Sequence, residues 1–402
     1  MKKKEESVTS NDKHQKHAAL TRPRYGDYGR VELGILGTSC GHIQKLAAAL
    51  IRNSSAGIGS VYVDADHKEG DQLMEGKGSA DSLMQSSGVM EYRDKIVYQR
   101  LDMRLGETSV FEQREWFNRQ DLVLINANHF NALHQVLVID PAKPMEKKLH
   151  KLTDVSLILL KDGASEIPPV VKEHLEAWQS IPVLKFDELD KITRFVMEFV
   201  KARVPKVNGL VLVGGNSTRM GIDKAELSYH GQSQKDYLLQ LIKSHCEAGF
   251  LSCNASQAEE WSGRYPVITD KILGLGPFGG LVSAFMEQPE SAWLTLACDL
   301  PFLTGDTLAY LVRHRNPSKL ATAFLDPKGE FPEPLITLWE PRAYPVLLRF
   351  LSQGYSCPRK VLINSAIELL QAPDPGEFRN VNRPQEHEAA LADLRASKNE
   401  AR

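Results

Sequence analysis

The chain predicts an α/β protein of two three-layer domains, each a mostly parallel sheet between layers of helices. Three observations carry that expectation. Strand-length apolar runs alternate with helically spaced segments along most of the 402 residues. A short break, Ala202–Lys206 with Pro205, interrupts the alternation halfway. In each half, a buried-type strand runs straight into a glycine-bearing turn and a helix. At about 150 residues per domain, the length suits two or three domains.

The expected elements follow in order. Val31–Leu36, Val61–Val63, Ile96–Leu101, Leu122–Ile125, Val136–Ile139 and Val155–Leu160 read as strands, several of them continuous Val/Ile/Leu runs of the kind buried on both faces. Ile43–Arg52, Val110–Arg119 and Pro169–Trp178 carry helical spacing. Glu188–Lys201 closes this half as an amphipathic helix with Leu189, Ile192, Phe195, Val196 and Phe199 on one face. After the break, Leu210–Val213, Leu294–Cys298, Ala321–Leu325 and Leu335–Trp339 read as strands, and Pro384–Ala396 as a closing helix. The expected division is a disordered tail over 1–29, a first domain over 30–204 and a second over 205–402.

Composition narrows the function. With 49 Lys+Arg against 51 Asp+Glu, the formal net charge is −2, which argues against a general nucleic-acid binder. A hydrophobic fraction of 42% excludes a mostly disordered chain. No apolar run approaches the ~18 residues of a membrane span, and no apolar stretch follows the basic start to make a secretory signal. Cys40, Cys246, Cys253, Cys298 and Cys357 are scattered, odd in number and never spaced CxxC, so neither a disulfide framework nor a zinc site is expected. A reduced, cytoplasmic enzyme is the natural setting.

The most informative stretch is Leu210-Val-Leu-Val-Gly-Gly-Asn-Ser-Thr-Arg-Met-Gly-Ile-Asp-Lys224. The strand delivers the chain to Gly214-Gly215, where missing side chains let backbone amides approach an anion. Ser217 and Thr218 add hydroxyl donors. Arg219 and Lys224 add charge, one as a fork and one as a point. An ordinary βα turn would explain a lone Gly-Gly, but not the full run with both cations. This is a way to cradle a triphosphate without a GxxxxGK[ST] loop. Asp299 follows an apolar strand, at the carboxyl end where α/β sheets receive ligands. Alone it would read as a helix N-cap. Beside the glycine loop it reads as a carboxylate that holds Mg²⁺ against phosphates.

Leu212–Lys224 resembles the signature LxGGxSxRMGxDK of the molybdenum cofactor guanylyltransferase family, and the resemblance continues in order over about residues 207–395. Cys253-Asn254-Ala255 is similar to the family's strand-end Asn, Asp270 to the Asp before its GPLAG loop, and Gly276-Pro-Phe-Gly-Gly280 to that loop. Ala297-Cys-Asp-Leu-Pro301 resembles CDxP, and Asn380-Val-Asn-Arg-Pro384 resembles the closing NVNTPEE. Glu333-Pro334-Leu335 matches a Pro-centred element before a strand. The resemblance implies a Rossmann-like nucleotidyltransferase that moves GMP from GTP to Mo-molybdopterin with Mg²⁺, releasing pyrophosphate. It implies nucleotide contacts from Leu212, Val213, Gly214, Gly215, Lys224, Asn254, Asp270 and Asp299. Arg219, Lys224 and Asp299 would be catalytic, Asp299 would be the metal ligand, and Asn380 and Asn382 would face the acceptor. Read without it, Asp270 stands equally for a loop cap, and Asn380 and Asn382 for surface turns.

Val213-Gly214-Gly215 stands where cytidine- or sugar-using relatives carry AAG, and the second Gly, together with the Gly276–Gly280 loop, tips the reading toward guanine. Val213, Phe278, Arg383 and the segment Gly231-Gln-Ser-Gln-Lys235 depart from the family pattern without removing a phosphate or metal group. The alternatives are a related nucleotidyltransferase with another base or acceptor, cytidylyl or sugar-phosphate, and a non-catalytic cofactor carrier. The expected partners are GTP, molybdopterin and a client molybdoenzyme, with no nucleic acid and no membrane.

In the first half, Val31–Leu46 has the strand–glycine–helix layout of a P-loop without its chemistry. A working loop from Gly37 would need Gly, Lys and Ser/Thr at 42, 43 and 44, where His42, Ile43 and Gln44 stand. Lys45 lies about 200° further around the helix. The segment resembles a degenerate form of the molybdopterin-guanine dinucleotide adaptor family, with Asp64-Ala-Asp-His67, Asp121–Ile125 and Ile181–Leu184 as supporting pieces. Asn126-Ala127 replaces that family's Glu-Gly. Asp64, Asp66 and His67 read as a polar turn rather than a metal cluster.

Overall fold

The computed structural model describes residues 26–54, 57–65, 90–94, 97–103, 110–214 and 224–400. The first half runs β1 (Val31–Leu36), α1 (Cys40–Asn53), β2 (Ser60–Val63), β3 (Met90–Asp94), β4 (Gln99–Met103), α2 (Val110–Phe117), β5 (Leu122–Asn126), β6 (His134–Ile139), β7 (Asp154–Leu160), α3 (Pro169–His174), β8 (Val183–Lys185) and α4 (Leu189–Lys201). Six strands form a wholly parallel sheet in the order β2-β5-β1-β6-β7-β8. Its inner strands are buried on both faces, which is why they lack alternation in sequence. Ile43, Leu46 and Leu50 of α1 pack with Ile192, Val196 and Phe199 of α4 on one face. Ile167, Val171 and Leu175 cover the other.

The expected buried strand at Ile96–Leu101 is corrected. Gln99–Met103 pairs antiparallel with Met90–Asp94 in a separate two-stranded ribbon, with Tyr92 and Leu101 exposed. Its alternating charges, Arg100 and Asp102, suit a solvated ribbon and not a sheet interior.

The second half runs β9 (Val207–Leu212), α5 (Gln234–Lys243), β10 (Gly249–Cys253), α6 (Ala255–Trp261), β11 (Val267–Thr269), α7 (Pro277–Glu287), β12 (Ala292–Ala297), α8 (Gly305–Arg313), β13 (Ala321–Leu325), β14 (Pro332–Trp339), α9 (Ala343–Ser352), α10 (Pro358–Ile363), β15 (Glu368–Leu370) and α11 (Pro384–Glu400). The sheet order is β11-β10-β9-β12-β14-β13-β15. β11, β10, β9 and β12 are parallel, whereas β14 runs antiparallel to both β12 and β13. Side chains of β9 alternate between two cores. Val207 and Val211 meet α5 and α8, and Leu210 and Leu212 meet α7 and α9. Gly280 lets α7 lie against β10, since a Cβ there would sit 2.2 Å from the Ser252 hydroxyl. The chain order runs outward from β9 on one side and resumes at β12 on the other. The crevice of such a sheet lies between those two carboxyl ends.

The halves are joined by a buried ion pair. Arg342, before α9, donates from Nη2 to Asp121 Oδ1 at 2.7 Å, with side-chain exposures of 6% and 8%. Its Nη1 also donates to the carbonyls of Arg119 and Ser318, at 3.3 and 3.2 Å. Within the segment expected as a tail, the Glu290 carboxylate accepts from the amides of Gly26, Asp27 and Tyr28. Residues 1–25 lie outside the described residues.

Removing one partner of a buried pair strands the other charge. Arg342→Ala is therefore expected to cost about 3–5 kcal/mol in urea unfolding. A loss below about 1 kcal/mol, the range of exposed pairs, would show that water screens the contact.

Candidate nucleotide site

β9 and β12 place Gly214 and Asp299 at the two lips of the crevice. Gly214 follows β9, and its amide donates to the Ser252 carbonyl at 3.0 Å. A Cβ there would come within 3.2 Å of Asp270 Oδ2, so the bare backbone lies directly under that carboxylate. Asp270 follows β11 and accepts from the Ser252 hydroxyl at 2.9 Å. Burial pushes its carboxyl above the ordinary range, and the Ser252 bond partly offsets this.

Asn254 ends β10 and caps α6. Its Oδ1 accepts from the Gln257 amide at 3.0 Å, and Gln257 Oε1 accepts the Asn254 amide at 3.2 Å. The capping box occupies the Oδ1 of Asn254. Leu212 and Val213 send their side chains into the apolar cores, so only their backbone faces the loop. Gly215 and Arg219, with residues 216–218 and 220–223, lie outside the described residues.

On the other lip, three distant segments converge. Lys224 Nζ donates to Asn382 Oδ1 at 2.5 Å and stands 3.7 Å from Asp299 Oδ2. The Val381 amide donates to the Asp299 carbonyl at 2.9 Å. The loop after Asp299 is pinned from α5 and the turn before it: His230 Nε2 bonds the Pro301 carbonyl at 2.8 Å, and Gln234 and Tyr237 donate to the carbonyls of Leu300 and Leu303 at 3.0 and 2.9 Å. Thr304, not Asp299, caps α8, which removes the N-cap reading of Asp299. Burial drives the Asp299 carboxyl above its ordinary range, against the Lys224 ammonium that draws it down. Among the described residues, Asp299 Oδ1 is buried and has no hydrogen-bond partner.

That orphan oxygen fits a hard divalent cation. Among the described residues no group of three His, Cys, Asp or Glu side chains stands ready for a metal. A cation here would take one carboxylate and complete its shell from phosphates and water, the habit of Mg²⁺.

Of the acceptor pair, Asn382 joins the cluster, whereas Asn380 is exposed. Glu333 was legible only as part of a tripeptide. Its carboxyl is raised by burial and by the nearby charges of Asp299 and Asp326, and Arg359 Nη2 stands 3.5 Å away. No sequence signal singles out Arg359. The departures at Phe278 and Lys235 are structural. Phe278 is the fully buried second residue of α7, and Lys235 is a buried cation paired with Glu226 and lying 5.2 Å from the Trp261 ring.

Residues 209–370 match the MobA-like NTP transferase domain. The chain is 32% identical over 183 residues to the molybdenum cofactor biosynthesis bifunctional protein of Synechocystis sp., covering 44% of this chain and 52% of that protein. It therefore spans about half the length of that relative. It is 28% identical over 194 residues to the molybdenum cofactor guanylyltransferase of Shewanella frigidimarina, covering 45% of this chain and 94% of that one. Molybdopterin-guanine dinucleotide biosynthesis protein A from Archaeoglobus fulgidus is similar in structure, with 23% identity, 47% and 99% coverage and a TM-score of 0.40. No helix among the described residues is long and apolar enough to cross a membrane.

A carboxyl raised on folding opposes stability wherever it is ionised. The cost is present above the folded value, is relieved as pH falls through it, and is absent below the unfolded value of 3.8. Asp299→Asn is accordingly expected to melt above the parent at pH 7, with the gap narrowing as pH falls toward 3.8. An equal melting temperature at pH 7 would mean that Lys224 fully compensates the buried charge.

Proposed function

We propose that the chain, whose residues 209–370 match the MobA-like NTP transferase domain, is a molybdenum cofactor guanylyltransferase, moving GMP from GTP to Mo-molybdopterin and releasing pyrophosphate. The observation that carries this reading is the desolvated Asp299 carboxylate, its Oδ1 without a partner among the described residues, beside Lys224 at the crevice of the sheet. A pure carrier has no need of a site built for a metal and a triphosphate.

The division of labour follows the sheet. Gly214, Gly215, Asn254 and Asp270, with the backbone of Leu212 and Val213, form the donor side, where the nucleotide lies. Arg219 and Lys224 neutralise the triphosphate, and Lys224 is aimed by Asn382. The acceptor phosphate attacks the α-phosphorus in line, so the enzyme has two anions to position and no protein nucleophile to supply. Asn380 and Asn382 border the acceptor. Bound at Asp299, Mg²⁺ supplies charge neutralisation at the phosphates.

The N-terminal residues 30–204 serve as a degenerate P-loop, adaptor-like domain beside a nucleotidyltransferase domain over 205–402. Asp64 supports the reading of its turn as structural: it accepts from Asn126 Nδ2 at 2.7 Å and from the Tyr62 hydroxyl at 2.6 Å. Asp66 and His67 lie outside the described residues. Lys45 faces solvent. A client molybdoenzyme would receive the product. Five free cysteines support a reducing, cytoplasmic setting.

Pyrophosphate release should occur with GTP and purified cofactor as acceptor, and not with CTP or ATP. Lys224→Ala and Asp299→Ala should each lower it by about 100-fold or more while the protein stays folded. Turnover with CTP and none with GTP would overturn the guanine assignment. Competition by a hexose 1-phosphate would redirect the acceptor to a sugar phosphate.

A further inference from the structure

The degenerate loop of the N-terminal sheet has exchanged one chemistry for another. Gly37 follows β1 at φ +96°, and a Cβ there would lie 2.1 Å from the Val138 carbonyl oxygen, so the turn is held tight against β6. Ser39 then caps α1, with Cys40 as its first residue. β5 is the direct neighbour of β1, and the turn after it carries His129. Cys40 Sγ lies 3.1 Å from His129 Nε2 across 89 residues of chain. Both side chains thus stand over the carboxyl ends of adjacent strands, where an α/β sheet receives small molecules.

Several other polar groups of this rim are tied to structural partners. The Thr38 hydroxyl donates to Asp140 at 2.6 Å, and Lys161 donates to the same carboxylate at 2.8 Å. The Ser39 hydroxyl bonds His42 Nδ1 at 2.7 Å. Asp64 holds Asn126 and Tyr62, whose hydroxyl is raised by burial, by its bond to Asp64 and by the nearby Cys40 sulfur. Cys40 is half-buried and His129 exposed, so the pair is within reach of solutes. Among the described residues no third ligand joins them for a metal. Beside these groups a thiol stands in hydrogen-bond contact with an imidazole, the pairing of a sulfur nucleophile with a base. Cys40 also opens a 14-residue helix, whose N-terminal pole favours negative charge.

We propose that Cys40 is a thiol–disulfide exchange site for low-molecular-weight disulfides, with His129 as its base. In the step, His129 Nε2 takes the Cys40 proton and the sulfur attacks one sulfur of the disulfide. A bond forms between Cys40 Sγ and that sulfur as the original S–S bond breaks. The departing thiolate takes the proton from His129, so one small thiol leaves for each mixed disulfide made. No external oxidant beyond the disulfide is required.

The test is incubation of the full chain with glutathione disulfide, followed by mass spectrometry of its cysteine peptides over time. Cys357 is the exposed comparison thiol on the other half, and Cys253 is fully buried, with its thiol pushed up to about 11 by burial and by Asp270. Cys40 is expected to form its adduct at least about tenfold faster than Cys357. His129→Gln should slow Cys40 by about tenfold or more and leave Cys357 unchanged, with Cys253 unmodified as the sign of an intact fold. Equal rates at Cys40 and Cys357 in the parent protein would overturn the proposal. So would an unchanged Cys40 rate in a folded His129→Gln variant. The parent comparison stands independently of how the variant folds.

Discussion

Lys224 holds three pieces of chain together at one point. Its ammonium meets Asn382 from the turn before α11 and Asp299 from the end of β12, segments separated by up to 158 residues. The Val381 amide repeats the connection through the backbone of Asp299. Nothing local in any of the three segments would place them together. The sheet does so, because β9 and β12 are neighbours and the last helix must return to them to bury Val381 and Ala390 against Leu227 and Tyr229. Apolar packing by a distant segment thus decides where the Lys224 ammonium points.

The same junction shows why the site carries an energetic burden. Asp270, Asp299 and Glu333 are all carboxyls raised by burial, arranged around one crevice. A fold seeking stability alone would fill such positions with apolar groups. Perturbed carboxyls gathered in one place, with Asp299 Oδ1 lacking a partner among the described residues, are the pattern by which functional sites are recognised. The surrounding scaffold absorbs that burden through two dense apolar cores, one on each face of the second sheet.

Much of this was legible in the sequence because it is written in short spacings. The buried strands β1, β5, β9 and β12 announce themselves as unbroken apolar runs, and α4 by its repeat of Ile192, Val196 and Phe199. Gly214, Asp270, Asp299 and Lys224 each follow such a run or lie in a dense motif. What was not legible depends on long-range return. The reversal of β14 between two strands leaves no mark in its composition, since antiparallel and parallel strands buried on both faces look alike. The charged ribbon of β3 and β4 was misjudged for the opposite reason: Ile96, Val97 and Leu101 suggested burial, but only a neighbouring surface could have provided it. Cys40 and His129 carry no pattern at all until β1 and β5 become neighbours.

The ion pair that joins the halves also bears on the order in which the chain acquires its structure. Asp121 belongs to the first sheet, beside β5, yet its guanidinium partner is synthesised 221 residues later. The amides of Gly26–Tyr28, which lead into β1, likewise wait for Glu290. A ribosome that has released only the first half therefore exposes a sheet with an unmatched carboxylate and an unclasped leading edge. That half can collapse around its own apolar core. Its final locking is deferred until Glu290 and Arg342 have themselves been made.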